Sequence, residues 1–263
     1  MRWVDGDRVG TVSRGVRERS FAVDRAGRTV PGVLWTPEAG AGGPLALVAL
    51  GHGAAQHKRQ DVVVALARRL VRHHGMAAVA VDGPVHGDRR PDKGADGRLA
   101  FLEFAQLWAA QGDAMTDEMV ADWRAVLDAV QALPDVGIGP VGWWGVSMGT
   151  VLGLPLVAED PRVVAAVLGL MGATGPTRAR IEAAAAAVRC PVLFLVQLGD
   201  ALFPRDSALA LFDAIGSPDK RLHAHPGPHG ALPGEEVDAS EAFLARVLAQ
   251  ARPGPGAGGG DPA

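Results

Sequence analysis

The sequence predicts an α/β architecture: a mostly parallel central sheet of about eight strands, opened by an N-terminal antiparallel hairpin and covered by helices on both faces. Three observations predict it. Two strand-like segments near the start are joined by a polar turn. Short apolar runs then alternate with helical stretches to the end of the chain. Several of those runs are apolar on both faces, as strands inside a parallel sheet must be.

Arg19–Asp24 and Thr29–Thr36 form the opening hairpin around Arg25-Ala26-Gly27-Arg28. The apolar runs that follow are Leu45–Leu50, Met76–Val81, Val141–Val146, Val163–Leu170, Val192–Leu198 and Lys220–His225. Helical patterns fall between and after them at Asp61–His73, Asp117–Leu133, Val151–Ala158, Arg178–Val188, Ser207–Ile215 and Ser240–Ala251. One connection, residues 88–116, is unusually long. In it Phe101, Phe104, Leu107 and Trp108 recur at helical spacing, so it reads either as a helix packed on the domain or as a partial cover over a site. Residues 1–251 read as a single domain, and the Gly/Pro-rich stretch 252–263 as a disordered tail.

Composition narrows the function classes. The chain has 263 residues, a hydrophobic share of 48% and a charged share of 21%, which suits an ordinary globular protein with a large core. A formal net charge of −3 without a basic stripe speaks against nucleic acid as the main partner. The longest apolar run, Val163–Ala173, is far short of the ~20 residues of a membrane helix. Acidic residues stand where a signal peptide would be apolar, so a cytoplasmic protein is expected. The one cysteine, Cys190, excludes an intrachain disulfide. Homo-oligomers remain open.

The strongest motif is Gly145-Val146-Ser147-Met148-Gly149, which follows the strand-like Val141–Val146 and precedes a helix. In a nucleophile elbow the serine occupies a strained turn above the sheet, and strand and helix approach so closely that only glycine fits two residues to either side. A glycine-rich turn with an incidental serine is the plainer reading. The elbow makes a demand that the turn does not: an acid and then a histidine, each after a later strand. Asp200 follows Val192–Gly199 directly, while its rival Asp206 stands where a helix N-cap would. Of the later histidines, His223 and His225 alternate within a strand, and His229 lies in the loop Pro226-Gly227-Pro228-His229-Gly230. Ser147, Asp200 and His229 are therefore the expected nucleophile, orienting acid and general base.

An acyl-transfer site also needs an oxyanion hole. One donor is the backbone N–H of Met148, and the second is assigned to Ala54 in Gly51-His52-Gly53-Ala54-Ala55-Gln56, with Gly53 as its neighbouring alternative. His52 is expected to brace this loop. Leu202, Phe203 and Met171 are expected to line the substrate pocket, with Trp108 and Met115 contributing from the long connection.

Gly51-His52-Gly53, Asp82-Gly83-Pro84-Val85-His86-Gly87-Asp88-Arg89, the Ser147 elbow, Asp200 and His229 together resemble the α/β-hydrolase superfamily. The nearest likeness is to its dienelactone-hydrolase-like and acyl-esterase branches, over roughly Phe21 to Leu248. Dienelactone hydrolases proper use a cysteine nucleophile, and this chain has serine. The resemblance therefore implies hydrolysis of a small or medium carboxylic ester through an acyl-enzyme, without cofactor or metal. Thioester, lactone and amide substrates are related alternatives, and a hydrolase-fold protein that binds without catalysis is another. Two further classes compete. A dinucleotide site would use Gly51-x-Gly53 and Asp82, but Gln56 stands where a third glycine belongs. A metal site would use His223, His225 and His229, but no zinc-hydrolase motif accompanies them.

Overall fold

The structure is a computed structural model that describes residues 1–4, 9–40, 42–93 and 96–251. The expected tail, 252–263, lies outside the described residues.

Ten strands join one sheet. They are β1 (Arg2–Trp3), β2 (Thr11–Ser13), β3 (Val16–Arg25), β4 (Arg28–Pro37), β5 (Leu47–Gly51), β6 (Ala77–Val81), β7 (Val141–Gly145), β8 (Val163–Gly169), β9 (Val192–Gln197) and β10 (Lys220–His225). Their order is β1-β3-β4-β6-β5-β7-β8-β9-β10, with β2 paired to β3 outside that path. The β3–β4 and β4–β6 pairs are antiparallel, and from β6 through β10 every pair is parallel. Among the described residues seven α-helices accompany them: α1 (Asp61–His74), α2 (Gly97–Gln111), α3 (Asp113–Gln131), α4 (Met148–Glu159), α5 (Arg178–Ala187), α6 (Arg205–Ala214) and α7 (Gly234–Ala251).

The sheet is mostly parallel, as expected, but exceeds the expected eight strands by β1 and β2. Both are very short and largely exposed, so neither leaves an apolar alternation to read. Several helices begin before the apolar pattern does: α3 at Asp113, α4 at Met148, α6 at Arg205 and α7 at Gly234. The first turns of α3, α6 and α7 carry acids, which suit the free N–H groups there and leave little apolar signal, while α4 opens on the buried turn after Ser147. Asp206 illustrates this and corrects the N-cap assignment. It sits inside the first turn of α6, the cap position is Pro204, and no side chain caps the helix.

Alternation along the strands sends side chains to two cores. Trp143, on one face, packs against Trp123 of α3 and Gly153 of α4, in a core that also takes in residues of α5 and α6. Trp144, on the other, packs with Val63, Leu66 and Leu70 of α1 and Phe243, Leu244 and Leu248 of α7. α1 shows how local sequence bounds an element. Asp61 opens it, Arg72, His73 and His74 close it against the negative helix end, and Gly75 turns left-handed at φ 59 to cap Leu70 and Val71.

Register aligns the site. Gly51 at the end of β5 lies opposite Gly145 at the end of β7. Gln197 at the end of β9 lies opposite His225 at the end of β10. The loops after these strands therefore share the carboxyl edge of the sheet, where open α/β folds bind ligands. No helix among the described residues is long and apolar enough to cross a membrane.

Candidate active site

Ser147 stands between β7 and α4 with φ 57 and ψ −118, a conformation that L-residues rarely adopt. The turn is tight enough that a Cβ on Gly149 would fall 2.6 Å from the carbonyl oxygen of Gly51. Strand β5 and helix α4 can approach this closely only with glycine there. Thr150, which sequence reasoning did not single out, pins the turn. Its hydroxyl accepts from Gly169 N–H at 2.9 Å and lies 2.7 Å from Gly169 O and 2.9 Å from Gly145 O. A polar residue just inside an apolar helix was the available signal.

The structure brings Ser147, His229 and Asp200 into one chain of contacts. His229 Nε2 lies 3.0 Å from Ser147 Oγ, and His229 Nδ1 lies 2.6 Å from Asp200 Oδ2. Asp200 is turned toward the ring because its other oxygen accepts from the N–H groups of Leu202 (2.7 Å) and Phe203 (3.1 Å). With Asp200 as acceptor, Nδ1 carries the ring proton and Nε2 presents its lone pair to the serine hydroxyl. The His229 loop is fastened from below, since Gln197 Nε2 donates to Ala231 O at 2.7 Å and Gly199 N–H to Gly227 O at 3.1 Å. Asp206 makes no contact with this chain.

The loop after β5 borders the same cavity as Ser147 and His229. Gly53 N–H donates to Gln56 Oε1 at 3.0 Å, so it is not free for a ligand. Ala54 N–H has no hydrogen-bond partner among the described residues, and its residue borders Ser147. Met148 is the first residue of α4, where helical N–H groups lack intrahelical acceptors. These two N–H groups can hold an oxyanion, and Gln56 is the residue that separates Ala54 from Gly53.

His52 holds this loop to the next one. Its Nδ1 donates to Gly53 O at 2.8 Å and its Nε2 accepts from Gly83 N–H at 2.9 Å, which requires a neutral ring. Burial, reinforced by neighbouring His86, pushes its pKa down to about 4. Beside it, Asp82 is fully buried and accepts from Lys58 N–H (2.9 Å), Asp88 N–H (2.8 Å) and the Lys58 ammonium. That consumes the carboxylate which a dinucleotide site would have turned to a ribose.

Two cavities meet at Ser147 and Ala54. One, of about 280 Å³, is walled by Phe101, Phe104, Ala105 and Trp108 of α2, together with Met148, Val151, Leu202 and Phe203. The other, of about 370 Å³, contains His229, Gln56, Gln60, Asp61, Leu170 and Val237. The long connection thus supplies a wall of the first cavity, and Leu202 and Phe203 line it too. Met171 does not. It is fully buried in the core, because Gly169 (φ 138) and Leu170 (φ 46) kink the chain after β8 and bring Leu170 to the second cavity instead. Met115 borders neither cavity at Ser147 but a separate pocket with Arg28 and Arg89.

The three later histidines are not brought together. His223 Nδ1 and His225 Nε2 lie 3.0 and 2.8 Å from Glu236 Oε1 at the start of α7, while His229 faces Asp200 and Ser147.

A family model described as the dienelactone hydrolase family matches residues 95–242, more than half of the chain and all of the Ser147–Asp200–His229 span. The chain belongs to the dienelactone hydrolase family. Among solved structures, a cold-adapted esterase from an Arctic intertidal metagenomic library in a PEG-bound complex is 39% identical. The match covers 94% of this chain and 100% of that one, with a TM-score of 0.83. The zinc-bound structure of a cold-adapted esterase from an Arctic intertidal metagenomic library is 37% identical over the same shares, with a TM-score of 0.78. Acetyl xylan esterase 1 from a Thermoanaerobacterium species is 17% identical over 90% of this chain and 85% of that one (TM-score 0.66), a likeness of fold. No curated protein matches the chain.

As a dienelactone hydrolase family member, the chain has the α/β-hydrolase fold and the hydrolase character of its relatives. Its only cysteine is no candidate for the elbow position. Cys190 precedes β9, at the edge of the sheet opposite Ser147, and burial holds its thiol up at about 11.

Proposed function

We propose that this hydrolase cleaves carboxylic esters of small or medium acyl groups through an acyl-enzyme on Ser147. The observation that carries this reading is the unbroken contact chain Asp200–His229–Ser147, at 2.6 and 3.0 Å, on a cavity that Ala54 also borders with an N–H unpartnered among the described residues. His229 takes the serine proton as Oγ attacks the ester carbonyl, and the N–H groups of Met148 and Ala54 receive the oxyanion. His229 then gives that proton to the leaving alcohol, and water repeats the cycle on the acyl-enzyme. Asp200 accepts from Nδ1–H and holds the ring in that tautomer. The esterase character of the 39%-identical relative supports the choice of ester over thioester, lactone or amide.

The two cavities divide the substrate. The general acid must reach the leaving oxygen, and His229 borders only the larger cavity, so the alcohol portion leaves through the side of Gln56, Gln60 and Asp61. The acyl chain then enters the apolar cavity under α2. Its volume, about 280 Å³, is at the small end for ligand pockets, which favours short and medium chains. Trp108 closes it, stacked on Phe104 and donating to Thr177 Oγ1 at 3.0 Å.

The test is a panel of nitrophenyl esters from acetyl to decanoyl, run on the wild type, Ser147→Ala and Trp108→Ala. Ser147→Ala removes turnover. Trp108→Ala moves the optimum to longer acyl chains, each newly accommodated methylene being worth about 0.8 kcal/mol, or roughly four-fold in kcat/KM. An unchanged optimum would place the acyl group elsewhere, and full activity in Ser147→Ala would end the serine mechanism.

A further inference from the structure

Away from Ser147, three ligating side chains converge where the end of α1 meets α7. His73 and His74 occupy the last turn of α1, and Glu241 comes from the middle of α7. His73 Nδ1 lies 2.7 Å and His74 Nε2 3.0 Å from the same oxygen, Glu241 Oε1, and the three ligand atoms lie within 4.8 Å of one another. We propose that His73, His74 and Glu241 bind a divalent transition-metal ion of the zinc class, which clamps α1 to α7.

The geometry favours such an ion. A tetrahedral zinc holds nitrogen and oxygen ligands at about 2.0–2.1 Å, which sets neighbouring ligand atoms roughly 3.3 Å apart. The present nitrogen–oxygen separations of 2.7 and 3.0 Å need to open by about 0.6 and 0.3 Å. Two imidazoles and a carboxylate are a set that suits zinc. Glu241 is preorganised: its side chain is 5% exposed, and its second oxygen is held by Arg69, which also pairs with Asp238 at 2.6 Å. That arrangement leaves Oε1 as the ligand atom. Both histidines are surface residues, which leaves the outer coordination position to water.

The site lies outside the catalytic constellation but touches its supports. α1 follows the loop that carries Ala54, and α7 follows the loop that carries His229. A clamp between these helices therefore stabilises the fold without entering the chemistry.

The test uses the full chain in metal-free buffer, titrated with cobalt(II) and followed by visible absorption, with melting temperature measured against zinc in parallel. The wild type takes up one cobalt in a four- or five-coordinate spectrum, and zinc at a hundred-fold excess over its Kd raises Tm by roughly 5–10 °C. His73→Ala/His74→Ala abolishes both signals, while His223→Gln/His225→Gln retains them. Both rings of the first pair are at the surface, so the double variant folds, and unchanged far-ultraviolet dichroism checks this. Absence of cobalt uptake and zinc shift in the wild type would overturn the proposal. So would their survival in the His73/His74 variant, which would move the ion to another site.

Discussion

Acidification attacks the loop that carries Ala54 through a single buried ring. His52 is 2% exposed, and both of its nitrogens are committed, one to Gly53 O and one to Gly83 N–H. Protonation removes the lone pair that receives Gly83 and places a charge where burial penalises it. The folded pKa of about 4 lies below the ordinary value of 6.5, so the unfolded chain binds the proton first. This contribution to stability is complete above pH 6.5 and is lost as the pH falls toward 4. Across the full 6.5-to-4 interval the loss approaches about 3 kcal/mol, and between pH 7 and pH 4.5 it is roughly 2.5 kcal/mol. Urea unfolding at each pH measures it. Turnover does not, because it reads the catalytic contact chain as well as the His52 loop. His52→Gln starts less stable, by about 1–3 kcal/mol for the disturbed buried hydrogen bonds, but its stability falls less steeply with acid. The difference between the two curves isolates His52 from His86, whose pKa burial also lowers. Parallel curves for wild type and variant would refute the account of this ring.

Two substitutions address the contact chain and the elbow. Asp200→Asn keeps an acceptor for Leu202 and Phe203 but can donate to His229 Nδ1 and favour the wrong tautomer, so kcat falls by about 10⁴ with little change in KM or Tm. Steady-state kinetics and a melting curve check both halves of that expectation. Gly149→Ala drives a Cβ to 2.6 Å from Gly51 O and pushes the loop of Ala54 away from Ser147. It costs roughly 1–3 kcal/mol in urea unfolding and lowers kcat more than KM rises.

What could be read from the sequence was set by local constraints. The elbow was legible because its steric demand falls on Gly145 and Gly149, and the order of Asp200 and His229 followed from the strands they terminate. The runs from Leu45 to Val196 were legible as buried strands because both faces are apolar. What was not legible depended on tertiary approach. Whether Leu170 or Met171 faces the cavity turns on a kink at Gly169 and Leu170 that no side-chain pattern encodes. The spacing of Phe104 and Trp108 predicts a helix, but only its packing near Val151 makes that helix a wall beside Ser147. His223 and His225 alternate as strand residues should, yet their partner Glu236 comes from a helix whose first turn has no apolar signature. Gln56 could have been weighed, since a side-chain amide three residues after Gly53 can close that loop on itself.

The central claim is that Ser147 is an activated nucleophile. Incubating the folded protein with a fluorophosphonate and mapping the modified peptide by mass spectrometry tests it most directly, because the reagent mimics the tetrahedral intermediate and reacts only with a serine that has a working base. The account predicts one adduct, on Ser147, that is lost in His229→Ala. A folded protein that stays unmodified, or one modified at another serine, would contradict it and turn the reading toward a hydrolase-fold binder without catalysis.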